Sequence, residues 1–519
     1  MARKIHSRIQ ISGTLVTETP LHVGGISNNP EVDLALAVNG QGQYYIPGTS
    51  LAGALRSWMI AESDEQSVKA LWGFQDNKGK EEGHASFVIV EDAAIKDMVQ
   101  IEIRDGVGID RLWGSAAEHA KYNRAILPKG TQIPLHLTLE QEKADDSWSS
   151  TCSLWGNLIK AMEGGKLRLG ASKTRGLGKI ILKGVKVREQ QLHTRQGMLD
   201  VIKNGGSEFT QEKINELLPS NLGSKRPQLT FKIHWEPLEP LMVKAEQDGL
   251  AVDMLPLVSA VEEGHVSFVL PGSSIKGVLR TQAERIVRTV LGRAVPNDTD
   301  SKQRFLKQIQ LPLVDLLFGA AAKTENKEQT GGIGALSVDD CYAEKMTTAA
   351  WNAVLTANDA KTLQEALNRP DLKNSQQAFH VAIDRWTGGA ADGMLYSVLE
   401  PMGITWEPIR LTVDLPRIQE RKPAKCRQLE GIALLFLVLR DLATEKIPLG
   451  YGTNRGMGAV RITKVHIQGQ GLTEELSALA EIDLTAGLLT ALDETVRKTL
   501  NQAWSEWIKS EQPSTAGAA

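Results

Sequence analysis

Residues Pro20–Arg56 read PLHVGGISNNPEVDLALAVNGQGQYYIPGTSLAGALR, and residues Pro240–Arg280 read PLMVKAEQDGLAVDMLPLVSAVEEGHVSFVLPGSSIKGVLR. Both begin with Pro-Leu, carry a lone Asp between apolar residues (Asp33, Asp253), and close on a Pro-Gly turn that opens a helix, the quoted stretches ending on its Leu-Arg. The match extends beyond these stretches. Ile9 and Ile11 align with Leu229 and Phe231 at an offset of 220, as Asp33 does with Asp253, and Pro47 and Arg56 align with Pro271 and Arg280 at 224. IDRLWGSAA (Ile109–Ala117) meets IDRWTGGAA (Ile383–Ala391) at 274, and the alternating segments Thr131–Leu139 and Thr405–Val413 keep that spacing. LGASKTRGLGKI (Leu169–Ile180) meets LGYGTNRGMGAV (Leu449–Val460) at 280. Five landmarks in one order, with offsets that only grow, define two homologous domains, the second enlarged by loop insertions.

Composition narrows the class. A chain of 519 residues is long enough for two to three domains with full cores. A net charge of −3 excludes a uniformly basic nucleic-acid-binding surface, so any basic footprint must be local. Cys152, Cys341 and Cys426 are far apart and lack CxxC spacing, which fits a reducing compartment rather than a zinc site or disulfide framework. The N-terminus lacks the apolar core of a signal peptide, and no apolar run approaches the roughly 18 residues of a span. A cytoplasmic protein with no membrane partner is expected.

Within each repeat the pattern predicts an α+β fold. Arg8–Leu15 alternates at period two, as a half-buried strand does. Tyr44–Ile46 is a short strand closed by Pro47-Gly48. Thr49 or Ser50 is expected to cap a helix with Leu51, Ala54, Leu55, Trp58 and Met59 on its apolar face. His84–Ala93 and Gly334–Ala343 each read as a turn feeding a strand, and Leu154–Met162 and Ile432–Leu442 as helices. These lengths fit a ferredoxin-like βαββαβ core with helical decorations. The expected domains are residues 1–190, a linker over 191–227, a second domain over 228–470 with insertions at Gly292–Gly331 and Glu344–Gln377, and a C-terminal extension over 471–519. A helix is expected near Ala486–Trp507, and disorder over Gln512–Ala519.

Several stretches suit RNA. KTRGLGK (Lys173–Lys179) and TNRGMGA (Thr453–Ala459) set Arg175 and Arg455 against Gly176/Gly178 and Gly456/Gly458. Such glycines let backbone amides converge on a phosphate, or simply make a tight turn. The helix starts Gly48-Thr49-Ser50 and Gly272-Ser273-Ser274 present amides and hydroxyls, with Lys276 adding a charge where the first repeat has Ala52; plain capping is the alternative. Asp33 and Asp253 recur without a second recurring carboxylate (Glu31 faces Ala251), so paired-carboxylate acid/base chemistry shared by both repeats is excluded. A single Asp either caps its loop or holds a divalent ion against an RNA phosphate. His22 resembles a general base, but Met242 replaces it in the second repeat. The IDR segments offer Arg111 and Arg385 as RNA contacts, or as halves of local ion pairs with Asp110 and Asp384.

This set of motifs, PLHVGG…D…YYIPGTSLAGALR followed by LWG, IDR and R-G-x-G, resembles the RAMP superfamily of CRISPR–Cas proteins. It is most similar to the Cas-seven-type backbone subunits of type III effector complexes, and two fused copies resemble the double backbone subunit of type III-D systems. The resemblance implies tandem ferredoxin-like, RRM-like domains with inserted thumb hairpins that carry the IDR segments. It implies partners: guide CRISPR RNA, complementary target RNA, and the other backbone and large subunits. It also implies endoribonuclease activity on the target, with Asp33 and Asp253 as the catalytic residues and a divalent cation, Mg2+ or Mn2+, as cofactor. His22, Gly48, Thr49, Ser50, Arg56, Arg111, Lys173, Arg175, Gly176, Gly178, Gly272, Ser273, Ser274, Lys276, Arg280, Arg385, Asn454, Arg455, Gly456 and Gly458 are the expected RNA contacts. Two rival functions stand beside it: a scaffold that binds guide RNA without cutting, and a guide-processing nuclease, for which no recurring His is present. The family's Gly-Gly is Gly24-Gly25 in the first repeat but Lys244-Ala245 in the second, which questions the loop geometry there.

Overall fold

The computed structural model describes residues 4–25, 31–75, 83–96, 99–142, 147–219, 226–246, 248–320, 331–419, 427–485 and 492–512. Helix accounts for 33% and strand for 34%, as an α+β chain requires. Two compact units form: residues 1–103, 124–173 and 177–225, and residues 104–123, 174–176 and 226–519. Two short pieces of the first repeat thus belong to the second unit.

In the first unit, β1 (Ser7–Thr17) is central. Its neighbours are β5 (Gln132–Gln141) and β6 (Lys179–Gln191), both antiparallel, and β2 (Val88–Val90) pairs on the far side of β5. The two other long strands of the first repeat, β3 (Glu102–Ile109) and β4 (Ala116–Ile126), form a separate hairpin whose residues 104–123 belong to the second unit. Helix α1 (Gly48–Glu62) follows β1 and α3 (Ser147–Glu163) follows β5, with α2 (Glu65–Trp72) between. The alternation read in the sequence is the burial pattern of the sheet: Ile9, Ile11 and Leu15 point into the core against Leu51, Leu55 and Met59 of α1 and Trp155 and Leu158 of α3. The expected linker is built into this unit. Ser207–Glu208 pairs with β6, and Ile214 and Leu218 enter the core.

The second repeat has the same strand order, with β7 (Gln228–Pro237) central between β11 (Ile409–Asp414) and β12 (Val460–Gln470), and β8 (Leu336–Asp339) beyond β11. Its hairpin is β9 (Ser375–Ile383) with β10 (Ala390–Pro401). Helix α4 (Gly272–Leu291) is the counterpart of α1, α5 (Ser301–Gln308) lies in the first insertion, and α6 (Gln428–Ala443) is the counterpart of α3. The pairing of the central strand with β6 or β12 is bulged in both repeats, opposite Ser12–Thr14 and opposite His234–Trp235, with the extra residue in β6 and in β12. The C-terminal extension is part of this unit's core: Leu476, Leu479 and Leu484 pack there with Val496, Leu500 and Trp507 of α7 (Glu494–Glu511). The start of the helix expected near Ala486–Trp507 (486–491), the tail beyond Gln512, and Cys426 lie outside the described residues. Cys152 and Cys341 are buried, and burial raises both thiols well above the ordinary cysteine range. No helix among the described residues is long and apolar enough to cross a membrane.

Candidate RNA interface and acidic loops

The chain after each central strand folds back on itself. In the second repeat Ala245 N donates to Leu255 O at 2.9 Å and Leu257 N to Val243 O at 2.7 Å. In the first, Gly25 N donates to Ala35 O at 3.2 Å and Ala37 N to Val23 O at 3.0 Å. These are the same ladder shifted by 220 residues, so Lys244-Ala245 keeps the ladder that Gly24-Gly25 makes. Gly25 is needed in its own context, since a Cβ there would lie 2.5 Å from Ala37 Cα.

The ladder presents each Asp beside the foot of a hairpin. Leu34 bridges Arg124 in parallel, with Ala125 N donating to Leu34 O at 3.0 Å. Met254 bridges Val398 in parallel, with Leu399 N donating to Met254 O at 3.0 Å. Asp33 and Asp253 are exposed at equivalent places. Asp253 Oδ2 accepts from Ser397 N at 2.6 Å and Ser397 Oγ at 2.9 Å. The Ser397 amide, followed by its hydroxyl, holds this carboxyl below the usual range, so it is ionised at neutral pH.

Aromatic rings and a cation gather next to Asp253. The Arg455 guanidinium sits 5.0 Å over the Tyr451 ring and donates to Tyr396 Oη at 2.5 Å. Tyr396 stacks on His380 with centroids 5.3 Å apart, and Tyr451 Oη donates to Met254 Sδ at 3.0 Å, adjoining Asp253. An exposed Arg with stacked rings beside an anionic carboxylate suits an RNA strand: rings for bases, the cation for phosphate. Sequence reasoning missed Tyr396, Tyr451, His380 and Ser397. Tyr396 was findable, since Tyr122 precedes it at the 274 offset of the IDR segments; Tyr122 packs on Gly106, where a Cβ would meet its ring at 2.3 Å.

Other expected contacts have structural duties. The helices begin at Gly48 and Gly272 with Pro47 and Pro271 as N-caps, so Thr49 and Ser50 are not caps. The first amides are already taken: Gly48 N donates to Asp92 Oδ1 at 2.6 Å and Gly272 N to Asp340 Oδ1 at 2.8 Å. A carboxylate seated there opposes a phosphate, and plain capping explains both turns. Thr49, Ser50 and Ser273 are nonetheless exposed, Ser274 is half-buried, and Arg56 is half-buried on α1. Lys276 is buried and its Nζ donates to Leu336 O at 2.6 Å. Arg280 binds Glu284, Asp315 and the carbonyls of Gly319 and Ile309. Both leave the RNA-contact set, because their donors are spent inside the unit.

Gly178 N donates to Pro20 O at 2.8 Å and Gly458 N to Pro240 O at 2.9 Å. A Cβ at either would lie 2.1–2.2 Å from the carbonyl oxygen of Leu169 or Leu449. The second glycine of each R-G-x-G is therefore a packing residue. Gly176 is likewise buried, its Cα facing Asp340. Arg175, Asn454, Arg455 and Gly456 remain exposed, and Lys173 is half-buried. His22 is buried, with Nδ1 2.7 Å from Ala125 O, and burial lowers its pKa. It is a neutral core residue, in keeping with Met242 opposite.

Arg111 does not face RNA either. Its Nε donates to Glu284 Oε2 at 2.5 Å and its amide to Gln308 Oε1 at 2.8 Å. Nor does it pair with Asp110, which binds Arg304 at 2.9 Å and Gln308 at 3.1 Å. Burial alone would raise the Asp110 pKa, but these partners and the amides of Leu112 and Trp113 bring it to about 2. Arg385 is exposed and has no ion-pair partner among the described residues.

Two tandem repeats with the same strand order, each with a hairpin and an acidic loop, define the class. The chain belongs to the RAMP superfamily, which it matches over residues 14–181 and 236–461. This membership makes it a CRISPR-associated, RNA-binding protein of the kind that works in complexes with RNA. No curated protein matches the chain.

Proposed function

We propose that the chain is the tandem backbone subunit of a type III CRISPR effector complex, with two ferredoxin-like domains that hold guide RNA and two loops that cut the paired target. The observation that carries this is the duplication of one geometry: an exposed Asp set by the same ladder beside the foot of a hairpin, at Asp33–Leu34 and again at Asp253–Met254. In the second unit, Arg455 with Tyr396 and Tyr451 grips the strand, and sequence is read by base pairing. Among the described residues no three His, Cys, Asp or Glu side chains gather as a metal cage. A divalent cation therefore fits only as one shared with RNA, with Asp253 as a single ligand and phosphate and water completing the set. When bound, it would neutralise charge on the phosphate under attack by the neighbouring 2′-hydroxyl. The protein's part is to keep Asp253 ionised through Ser397 and to hold the strand.

The scaffold reading has one observation in its favour, that Asp253 also braces its loop through Ser397. Target cleavage by the complex separates the two. Asp33→Ala and Asp253→Ala each remove one cut and leave target binding intact, and the double variant removes both. Unchanged cutting in the double variant would leave the scaffold function.

A further inference from the structure

Beside Asp253 the second repeat builds a continuous column of side chains. His380 and Tyr396 are direct partners across the hairpin and stack with centroids 5.3 Å and planes 17° apart. His380 Nε2 is buried without a hydrogen bond, 3.5 Å from Oε1 of the buried Glu400. Tyr396 Oη accepts from Arg455, whose guanidinium also lies over the Tyr451 ring, and Tyr451 Oη donates to Met254 Sδ next to Asp253. The column ties both hairpin strands, the R-G-x-G turn and the acidic loop to one another.

The first repeat keeps much of the main chain and loses the column. At the 274 offset Gly106 stands for His380, Tyr122 for Tyr396 and Ile126 for Glu400. The Tyr122 ring fills the space over Gly106, where a Cβ would come within 2.3 Å of it, so no second ring can stand there. Ala171 N donates to His22 O at 2.9 Å as Tyr451 N does to Met242 O at 2.7 Å, so the backbone is shared and only the ring is gone. Leu34 replaces Met254. Arg175 aligns with Arg455, but its main chain runs parallel to β8 opposite Val338, whereas Arg455 N closes a turn on Gly452 O at 2.7 Å. The Arg175 side chain has no ring contact, hydrogen bond or ion pair among the described residues.

An arginine on a free stem offers an RNA strand its charge. One clamped by two tyrosines also offers a planar face whose rotamer freedom was given up before binding. Bases stack on guanidinium planes and aromatic rings, and stacking strength is what gives single-strand binding its base preference. We propose that the two acidic loops differ in selectivity: the second prefers an unpaired purine over a pyrimidine, stacked on the platform of Arg455, Tyr396 and Tyr451, and the first is indifferent to the base. His380 is the positioning residue, acting through Tyr396.

The inference rests on the cutting function proposed above and is tested in the assembled complex. Targets carrying each of the four bases at the nucleotides flanking each cut, with the guide changed in step, give single-turnover rates at both cuts of one molecule. The Asp253 cut should favour purine over pyrimidine by about fivefold, and the Asp33 cut by less than about twofold. His380→Ala should bring the second preference down to that of the first, and His380→Phe, which keeps a ring beside Tyr396, should restore it. The first cut of the same molecule is the control for folding and loading. Equal preference at the two cuts, a preference that His380→Ala leaves in place, or failure of His380→Phe to restore it would overturn the inference. Absence of cutting at both loops would refute the proposed function instead. 2-Aminopurine scanned along the bound target then decides: a quenched nucleotide that brightens in His380→Ala and is quenched again in His380→Phe supports the inference, and no such nucleotide overturns it.

Discussion

Replacing Asp340 and Asp92 by Ala tests how the first hairpin is held, because the two residues have the same local duty and different long-range ones. Each caps the helix after the Pro-Gly turn, through Gly272 N and Gly48 N. Asp340 also neutralises Arg104, and the side chains of that pair are 0% and 8% exposed. Asp92→Ala loses an exposed cap, costing about 1 kcal/mol. Asp340→Ala loses its cap and takes the carboxylate from a buried guanidinium whose Nη2 donates to Ser259 Oγ at 3.1 Å. Breaking a buried pair from one side costs roughly 3–5 kcal/mol, so the two substitutions should differ by about 3 kcal/mol in urea unfolding. In an Arg104→Met background the cost of Asp340→Ala should fall to about that of the cap, the coupling being read from the double-mutant cycle. Equal costs at Asp92 and Asp340, or a coupling indistinguishable from zero, would refute the seating.

Asp110→Asn should cost about 2 kcal/mol at neutral pH, from a carboxyl lowered from 3.8 to about 2. Because the folded pKa is the depressed one, that difference from wild type should vanish as pH falls from about 4 to 2 in acid-unfolding curves. His22 has a dependence of the same sign at higher pH in the first unit: its neutral form is favoured by burial. Stability should be full above about 6.5 and fall as acid protonates the unfolded chain first, and His22→Met should flatten this part of the pH profile. Tyr396→Leu should weaken RNA binding by roughly tenfold, as loss of a stacking ring does. Arg455→Ala should lower the slope of log affinity against log salt by about 1, both measured by filter binding.

The duplication, the central strands and the core helices were legible because burial imposes period on sequence. Ile9 and Ile11 reappear as Leu229 and Phe231 since both pairs point into cores. The chemistry was harder to read. Lys276 and Arg280 looked like RNA contacts by charge, yet their partners are Leu336 and Asp315, distant in sequence. The helix starts looked like phosphate sites because the carboxylates that occupy them come 44 and 68 residues later. The hairpins carry no core-facing alternation of their own and were expected only from the family resemblance. The rings around Arg455 were missed because a base-stacking platform has no periodic signature.

The division of the first hairpin from its own repeat has a kinetic side. Residues 104–123 belong to the second unit while their flanking residues 103 and 124 belong to the first, so this tip is tethered at both ends to the molecule that receives it. Its seat sees it at an effective concentration on the order of millimolar, and modest contacts suffice to keep it filled at any dilution.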